Sequence, residues 1–519
     1  MMNSFINRIV LIVLSFLVAS PLLAQSGSAS KRALKEEYLS FRRECMKEYI
    51  EFVREAWKEY EGEPPIERPK DQDTPLVMAP LEEGEAAQPV PETNSFFSFV
   101  GNMFKKRKSK PNNANIQPKE TIVEKVVPVP PPPPPVQAIE KVYQVKTPDE
   151  KKHNFTLFGT DFCIRIVDNE QYKIKGITED EVADALQILS DKQYDNTLYD
   201  CLLIRSKYKL SDWAYFQVIR EFTNQVFGEN TNEATLFLSY IVTNSGYKTR
   251  LARNNDRLIL LMASNHIIYE RLYWKIDGVN YYPIAESTKD MRLMISNASF
   301  PKESGVSFFI PNLQQFKFEP SDERVIEIAR WPEMKIKVHT NKNLLHFYDT
   351  YLTSHLGNNI MTRWAMYANT PMAKEVEDEL YPQLKQLLEG SDQCESVNKL
   401  LAFVQLGFQY RLDDVVWGHD RAFFAEETLF YPYSDCEDRA ILFSRLVRDL
   451  LHLKIILVYY SGKYPHLATA VHFTDDVNGD YINVNNEKYI VCDPTVTFAT
   501  VGMTHPYEDN SKANVILLE

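Results

Sequence analysis

Tyr433-Ser434-Asp435-Cys436-Glu437-Asp438-Arg439-Ala440 opens into Ile441-Leu442-Phe443 and Leu446-Val447. The apolar spacing predicts a helix over Cys436–Leu451, with Ser434 or Asp435 available as its N-cap. A thiol at such a helix start meets the positive end of the helix dipole and backbone N–H groups without intrahelical partners. Both favour thiolate, the nucleophilic form. Asp435, Glu437 and Asp438 act against it, so the dipole alone is insufficient and an imidazolium partner is expected.

Two later segments supply partners. Pro465-His466 enters the alternating run Leu467-Ala468-Thr469-Ala470-Val471, and a histidine at a strand start behind a rigid proline is placed to act as general base. Tyr489-Ile490-Val491-Cys492-Asp493-Pro494-Thr495 ends a strand in an aspartate stopped by proline. That carboxylate can accept the second imidazole N–H and fix the tautomer. His472 competes with His466, but at ~3.3 Å per residue it lies about 20 Å further along the strand, so only one of the two can serve the thiol. Alternation turns Cys492 to the face opposite Asp493, as a core residue.

In order and separation these elements resemble the transglutaminase-like superfamily of papain-fold thiol enzymes. The matching stretches are Ser434-Asp435-Cys436-Glu437-Asp438, His466-Leu467-Ala468-Thr469-Ala470-Val471 and Cys492-Asp493-Pro494-Thr495, and the resemblance covers roughly residues 355–519. Ser434 departs from the glycine usual in the family two residues before the cysteine. The resemblance implies an α+β domain, helices first and antiparallel strands after, with Cys436, His466 and Asp493 as catalytic triad. It also implies peptidase, amidase or cross-linking chemistry on a peptide or protein substrate, a cell-wall peptide among them, without cofactor or metal. For the oxyanion, the Cys436 N–H is one donor, and Tyr433 is a candidate side chain for the second.

Working outward, helices are expected over Met372–Leu388 and Cys394–Tyr410, and strands over Lys454–Tyr460, Leu467–Phe473, Tyr481–Val484 and Lys488–Asp493. Asn478-Gly479 reads as a hairpin turn between two of these strands rather than as part of a calcium loop. The domain spans 351–519, after a β connector over 301–350 with strands expected at Val306–Ile310, Phe316–Phe318 and Met334–Val338. Residues 153–300 read as a second α+β domain, with helices at Glu179–Leu189, Asp212–Phe227 and Asn232–Asn244, then short strands. Its end parallels the thiol domain. Asn232–Ser239 precedes Ile241-Val242 as Glu437–Ser444 precedes Leu446-Val447, which sets Thr231 against Cys436 and Ala285 against Asp493, with His266 nearby. The expectation is a degenerate copy, and it requires a helix packed on a sheet of the same strand order.

Upstream, Arg8 precedes an apolar run Ile9–Ala19, and Leu22-Leu23-Ala24 leads to Gln25, so residues 1–24 read as a signal peptide and the mature chain as periplasmic or secreted. The run is too short for the ~20 residues of a membrane span. Residues 30–60 form an amphipathic helix on Leu34, Tyr38, Phe41, Cys45, Tyr49, Phe52, Val53, Ala56 and Trp57. It suits either docking on its own chain or self-association. Residues 61–150, with their Pro130–Pro135 run, read as an extended, disordered linker. Within it, Phe96–Val100 beside Lys105–Lys110 is a sticky, basic spot. A net charge of -13 argues against nucleic acid as partner. Six cysteines without a Cys-x-x-Cys pair suggest neither a disulfide framework nor a zinc site.

Overall fold

A computed structural model describes residues 43–68, 120–122, 126–127, 133–138, 142–144 and 150–519, the last span without 168–171, 192–193, 286–290, 301, 329–330, 462–464, 498 and 506–507. The signal segment, Phe96–Val100 and Lys105–Lys110 lie outside these residues. The fold is α+β, as expected.

Helix α1 (43–54) carries Cys45, Tyr49 and Val53 at intervals of four, and all three are buried together with Met46, Ile50 and Trp57. Tyr49 stacks on Phe300 at 4.4 Å, and Arg54 pairs with Asp180 and Asp184 at 3.1 and 2.7 Å. The described part of the apolar stripe is therefore buried in the chain's own core, while Leu34, Tyr38 and Phe41 lie outside the described residues. Phe52 and Ala56, expected on that stripe, face solvent instead.

Strand β1 (Lys58–Glu61) follows. Within 61–150, expected to be largely disordered, β2 (Glu120–Ile122) and β3 (Val126–Val127) both join the sheet of the C-terminal unit. Composition hides such strands, because their hydrogen-bond partners lie on the edges of a distant sheet.

The middle unit begins with the hairpin β4 (Glu150–Leu157) and β5 (Thr160–Val167). Four helices follow: α2 (Glu179–Leu189), α3 (Asp195–Lys207), α4 (Asp212–Phe227) and α5 (Asn232–Asn244). Side-chain caps fix three of their starts: Thr178, in a capping box with Glu181, then Ser211 and Thr231. Then come β6 (Thr249–Asn254), β7 (Arg257–Ser264), β8 (His266–Ile268), β9 (Trp274–Ile276), β10 (Val279–Pro283) and β11 (Arg292–Ile295).

The connector contains one hairpin, β12 (Arg324–Ile328) with β13 (Trp331–Val338), then α6 (Lys342–Asp349) and β14 (Ser354–Leu356). The strands expected at Val306–Ile310 and Phe316–Phe318 are not formed. Their apolar side chains enter the core from irregular backbone, with a single bridge between Ser264 and Val306.

The C-terminal unit contains α7 (Thr362–Asn369), α8 (Lys374–Leu388), α9 (Gln393–Gly407), β15 (Gln409–Tyr410), α10 (Asp413–Val416), α11 (Ala425–Phe430), β16 (Tyr433–Ser434) and α12 (Cys436–Leu446). A π-helical turn, Val447–Leu451, extends α12. Strands β17 (Lys454–Tyr460), β18 (His466–His472), β19 (Tyr481–Val484), β20 (Glu487–Cys492) and β21 (Asn514–Leu517) complete it.

The two sheets repeat one order over five strands, while their edges differ: β1 is antiparallel to β11, β3 is parallel to β21, and β2 has no counterpart. The middle one runs β1-β11-β6-β7-β10-β9, and the C-terminal one, read in the same sense, β3-β21-β17-β18-β20-β19-β2. Register extends the match to single residues. Cross-strand pairing sets Val458 against Ala252, Ala470 against Leu261, Ile482 against Trp274, Val484 against Ile276, Tyr489 against Tyr281 and Val515 against Ile295. Every one of these residues belongs to the small apolar cluster on its sheet's second face. The first face of each sheet packs on the preceding helix, α5 or α12. Even the tight turn recurs, with positive φ at Asp277-Gly278 and at Asn485-Asn486. The expected duplication meets its own requirement.

The C-terminal sheet is strongly curled. Ile122 and Val126 sit on its two edge strands, yet four steps of chain reach at most about 14 Å. Six strand spacings laid flat would need about 29 Å. Asn478-Gly479 is not the expected hairpin turn, because β18 pairs with β20 rather than with β19. The segment crosses over instead, and a Cβ on Gly479 would come within 2.2 Å of the Gly502 backbone.

Candidate functional site

Cys436 is the first residue of α12, after the N-cap Asp435. The Asp435 N–H donates to Asp438 Oδ2 at 3.2 Å, and Phe423 N–H donates to Asp438 Oδ1 at 2.8 Å. Asp438 thus ties the preceding loop to the helix start. His466 opens β18, and its Nε2 lies 2.8 Å from Asp493 Oδ2. The other oxygen, Oδ1, accepts from Thr495 N–H at 2.9 Å and Val496 N–H at 3.4 Å. Gln405, from α9, donates to the main-chain oxygens of Asp493 and Ala499 at 2.8 and 3.1 Å and so fixes the turn. The proline after Asp493 ends the strand there.

The backbone N–H of Leu467, next to His466, faces the Cys436 sulfur. This contact brings the helix start onto the start of β18, beside the His466–Asp493 pair. Among the described residues no hydrogen bond joins the thiol to the imidazole. The Cys436 thiol donates to Glu437 Oε2 at 3.1 Å. Burial, then the charges of Glu437 and Asp435, push its pKa well above the ordinary value, and the Leu467 N–H opposes them. Burial also works against the charged forms of the pair. For His466 the Asp493 carboxylate outweighs burial and leaves the imidazole raised. For Asp493 the His466 imidazole and the Thr495 N–H outweigh it, and the carboxyl is lowered. Each partner therefore favours the charged form of the other, so the contact draws the pair toward imidazolium–carboxylate.

His472 stands at the far end of β18, opposite Lys454, with Nδ1 2.9 Å from the Lys488 carbonyl. Cys492 is fully buried in the main core, as its strand position predicted. Tyr433 is buried in β16 with the Arg411 guanidinium 4.4 Å from its ring centre. The tyrosine that electrostatics places by the thiol is Tyr410. Burial and then the charges of Cys436, Asp435 and Glu437 raise its hydroxyl well above the ordinary value.

Several neighbours carried no sequence signal. His505 lies 6.3 Å from the His466 ring and is mostly buried. Glu508 is raised by burial, against the pull of His466. Arg363, from α7, pairs with both oxygens of buried Asp420 and lies 3.9 Å from Glu437. Carboxylate oxygens of Asp413, Asp420 and Glu437 gather within 4.8 Å of one another. With Asp435-Cys436-Glu437 and Asp413-Asp435-Asp438 they are the groups among the described residues that could hold a cation, and the Arg363 guanidinium already supplies positive charge to Asp420 and Glu437. Burial and neighbouring acids raise Asp413 and Asp438 well above the carboxylate range.

In the middle copy, α5 begins at Asn232 after the N-cap Thr231. The capping frame thus sets Asn232, not Thr231, against Cys436, a shift of one residue from the sequence alignment. A hydrogen bond confirms the frame: Leu258 N–H donates to Asn232 Oδ1 at 2.8 Å, and register sets Leu258 against Leu467. The same register sets Arg257 against His466 and Ala285 against Asp493. His266 belongs elsewhere. It is buried in β8 with its ring between Ser354 Oγ and the Phe308 N–H, at 3.4 and 3.3 Å, and burial lowers its pKa to about 3.

No family model, no curated protein and no solved structure matches the chain. Among the described residues, no helix is long and apolar enough to cross a membrane.

Proposed function

We propose that the C-terminal unit is a transglutaminase-like, papain-fold thiol enzyme that cleaves or transfers peptide or amide acyl groups. The observation that carries this reading is the 2.8 Å His466–Asp493 contact at a strand start whose next N–H meets the Cys436 sulfur. Because Nε2 engages Asp493, Nδ1 is the nitrogen left for the thiol. In the proposed cycle the neutral His466 imidazole takes the proton from the Cys436 thiol, and the sulfur bonds to the amide carbonyl carbon as the C–N bond breaks. The proton held on His466 goes to the departing amine. Water, activated by the neutral imidazole, then cleaves the thioester, or a second amine takes the acyl group. The Cys436 N–H and the Tyr410 hydroxyl are the donors proposed for the oxyanion, with Tyr410 taking the place first given to Tyr433. A cell-wall peptide in the periplasm or outside the cell is the substrate that fits the signal-peptide reading.

A second reading, an inactive envelope binding protein, draws on one observation: the resting thiol is protonated and donates to Glu437. Incubation with an activated peptide ester, followed by intact-mass measurement, separates the two. The enzyme reading predicts a covalent acyl adduct on Cys436 that is absent from Cys436→Ser. A native protein that never gains the adduct refutes it.

A further inference from the structure

In the middle unit the positions equivalent to Cys436, His466 and Asp493 carry Asn232, Arg257 and Ala285. A cavity of about 260 Å³ opens at the place equivalent to the thiol site, lined by Arg257, Leu258 and Ala285 among others. These are the counterparts of His466, Leu467 and Asp493. The helix start equivalent to that of Cys436 carries Asn232, whose side-chain oxygen is occupied by Leu258 N–H and whose Nδ2 donates to the Asp256 carbonyl at 2.9 Å.

The lining indicates what is recognised. Arg220 and Asn224 stand one turn apart on α4 and both face the cavity. Among the described residues, neither the Arg220 guanidinium nor the Asn224 side-chain amide has a hydrogen bond or ion pair, although both are half-buried. Half-buried guanidiniums ordinarily find partners on their own chain; among the described residues the Arg411 guanidinium is another without a hydrogen bond or ion pair, and it lies over the Tyr433 ring. Arg257, exposed in the lining, has one donor on the Asn230 carbonyl at 3.2 Å. Two guanidiniums thus face one carboxylate, Asp256, across the opening. The floor is apolar, from Ala234, Leu238 and Ile284. The volume lies below the ~300–1,000 Å³ of drug-sized sites, which limits the occupant to a terminal group and one or two small side chains.

We propose that this cleft binds a short peptide through its free carboxylate, held by Arg220 and Arg257, with Asn224 on the adjoining amide and a small side chain on the apolar floor. An inorganic anion would use the arginines but leave the floor and the amide without a role. The inference stands on the duplication and the lining, independently of chemistry at Cys436.

The test uses the full chain carrying Cys436→Ser, so that no peptide is turned over, and acetyl-Ala-Ala-Ala as probe. Calorimetry compares the free acid, its C-terminal amide and inorganic phosphate at low salt. The acid should bind at least ~10-fold tighter than the amide and than phosphate, since hydrogen bonds to a charged group carry about that much. Arg220→Gln and Arg257→Gln should each weaken the acid by ~10-fold while the melting temperature holds. Equal binding of acid and amide, or tighter binding of phosphate, overturns the proposal. So does acid binding unchanged in both arginine variants, which would place the peptide in the Cys436 cleft. No binding of the acid at ~10 mM also overturns it, and leaves the thiol-enzyme reading untouched.

Discussion

The two copies share strand order, second-face core and tight turn, and differ where chemistry would occur. Cys436, His466 and Asp493 in one copy stand against Asn232, Arg257 and Ala285 in the other. They also differ in what covers the site. Residues 228–231 join α4 directly to α5, whereas residues 408–435 lie between α9 and α12 and carry β15, α10, α11 and β16. The loop is pinned by two acids: Asp438, in the first turn of α12, takes Phe423 N–H, and Asp413, within the loop itself, takes Arg421 N–H at 2.6 Å. The contrast shows that the shared scaffold depends on apolar positions repeated in register, while the site depends on a few polar residues and one inserted loop.

The comparison breaks most sharply at the nucleophile. Cys436→Ser should abolish acyl-adduct formation, whereas Asn232→Ala should leave it unchanged; intact mass reads both. Next, Asp493→Asn keeps the shape but loses the charge that orients and stabilises His466 as imidazolium. The acylation rate should fall by ~10²–10⁴-fold, and Ala285→Ser in the other copy should not alter it.

Stability separates the copies through the inserted loop. Arg363→Met leaves Asp420 as a buried, unpaired charge beside Glu437 and should cost about 3–5 kcal/mol in denaturant unfolding. The middle cleft has no such pair to lose.

The smallest expected effect is on pH dependence. His466 is raised above its ordinary 6.5, so its contribution to stability is complete below that value and is lost as pH rises through the folded pKa. Asp493 is lowered below 3.8, so its contribution is complete above that value and is lost as pH falls through the folded pKa. Asp493→Asn should flatten the melting temperature against pH at both ends of this window. Arg257→Gln should leave the curve as it is.

Much of this was legible in the sequence, for identifiable reasons. The helix at Cys436 and the strands at His466 and before Asp493 are set by local periodicity, a cap and a proline. The triad order followed from them. The duplication was legible too, but only to within a residue. Apolar spacing aligns the two helices but does not fix which residue starts each; the caps do. Thr231 was therefore set against Cys436 where the capping frame places Asn232. Tyr410, Arg363, His505 and Glu508 reach the site from loops and helices far along the chain, with no periodic signal to mark them. Likewise β2 and β3 acquire their strand character from the edges they join, which composition cannot express.

The central claim is that the His466–Asp493 pair activates Cys436. Its most direct test is the rate of iodoacetamide alkylation at Cys436 near neutral pH, in native protein and in His466→Ala. The account predicts rapid labelling that slows by at least ~10-fold when the imidazole is removed. Slow labelling with the same rate in both proteins would contradict it.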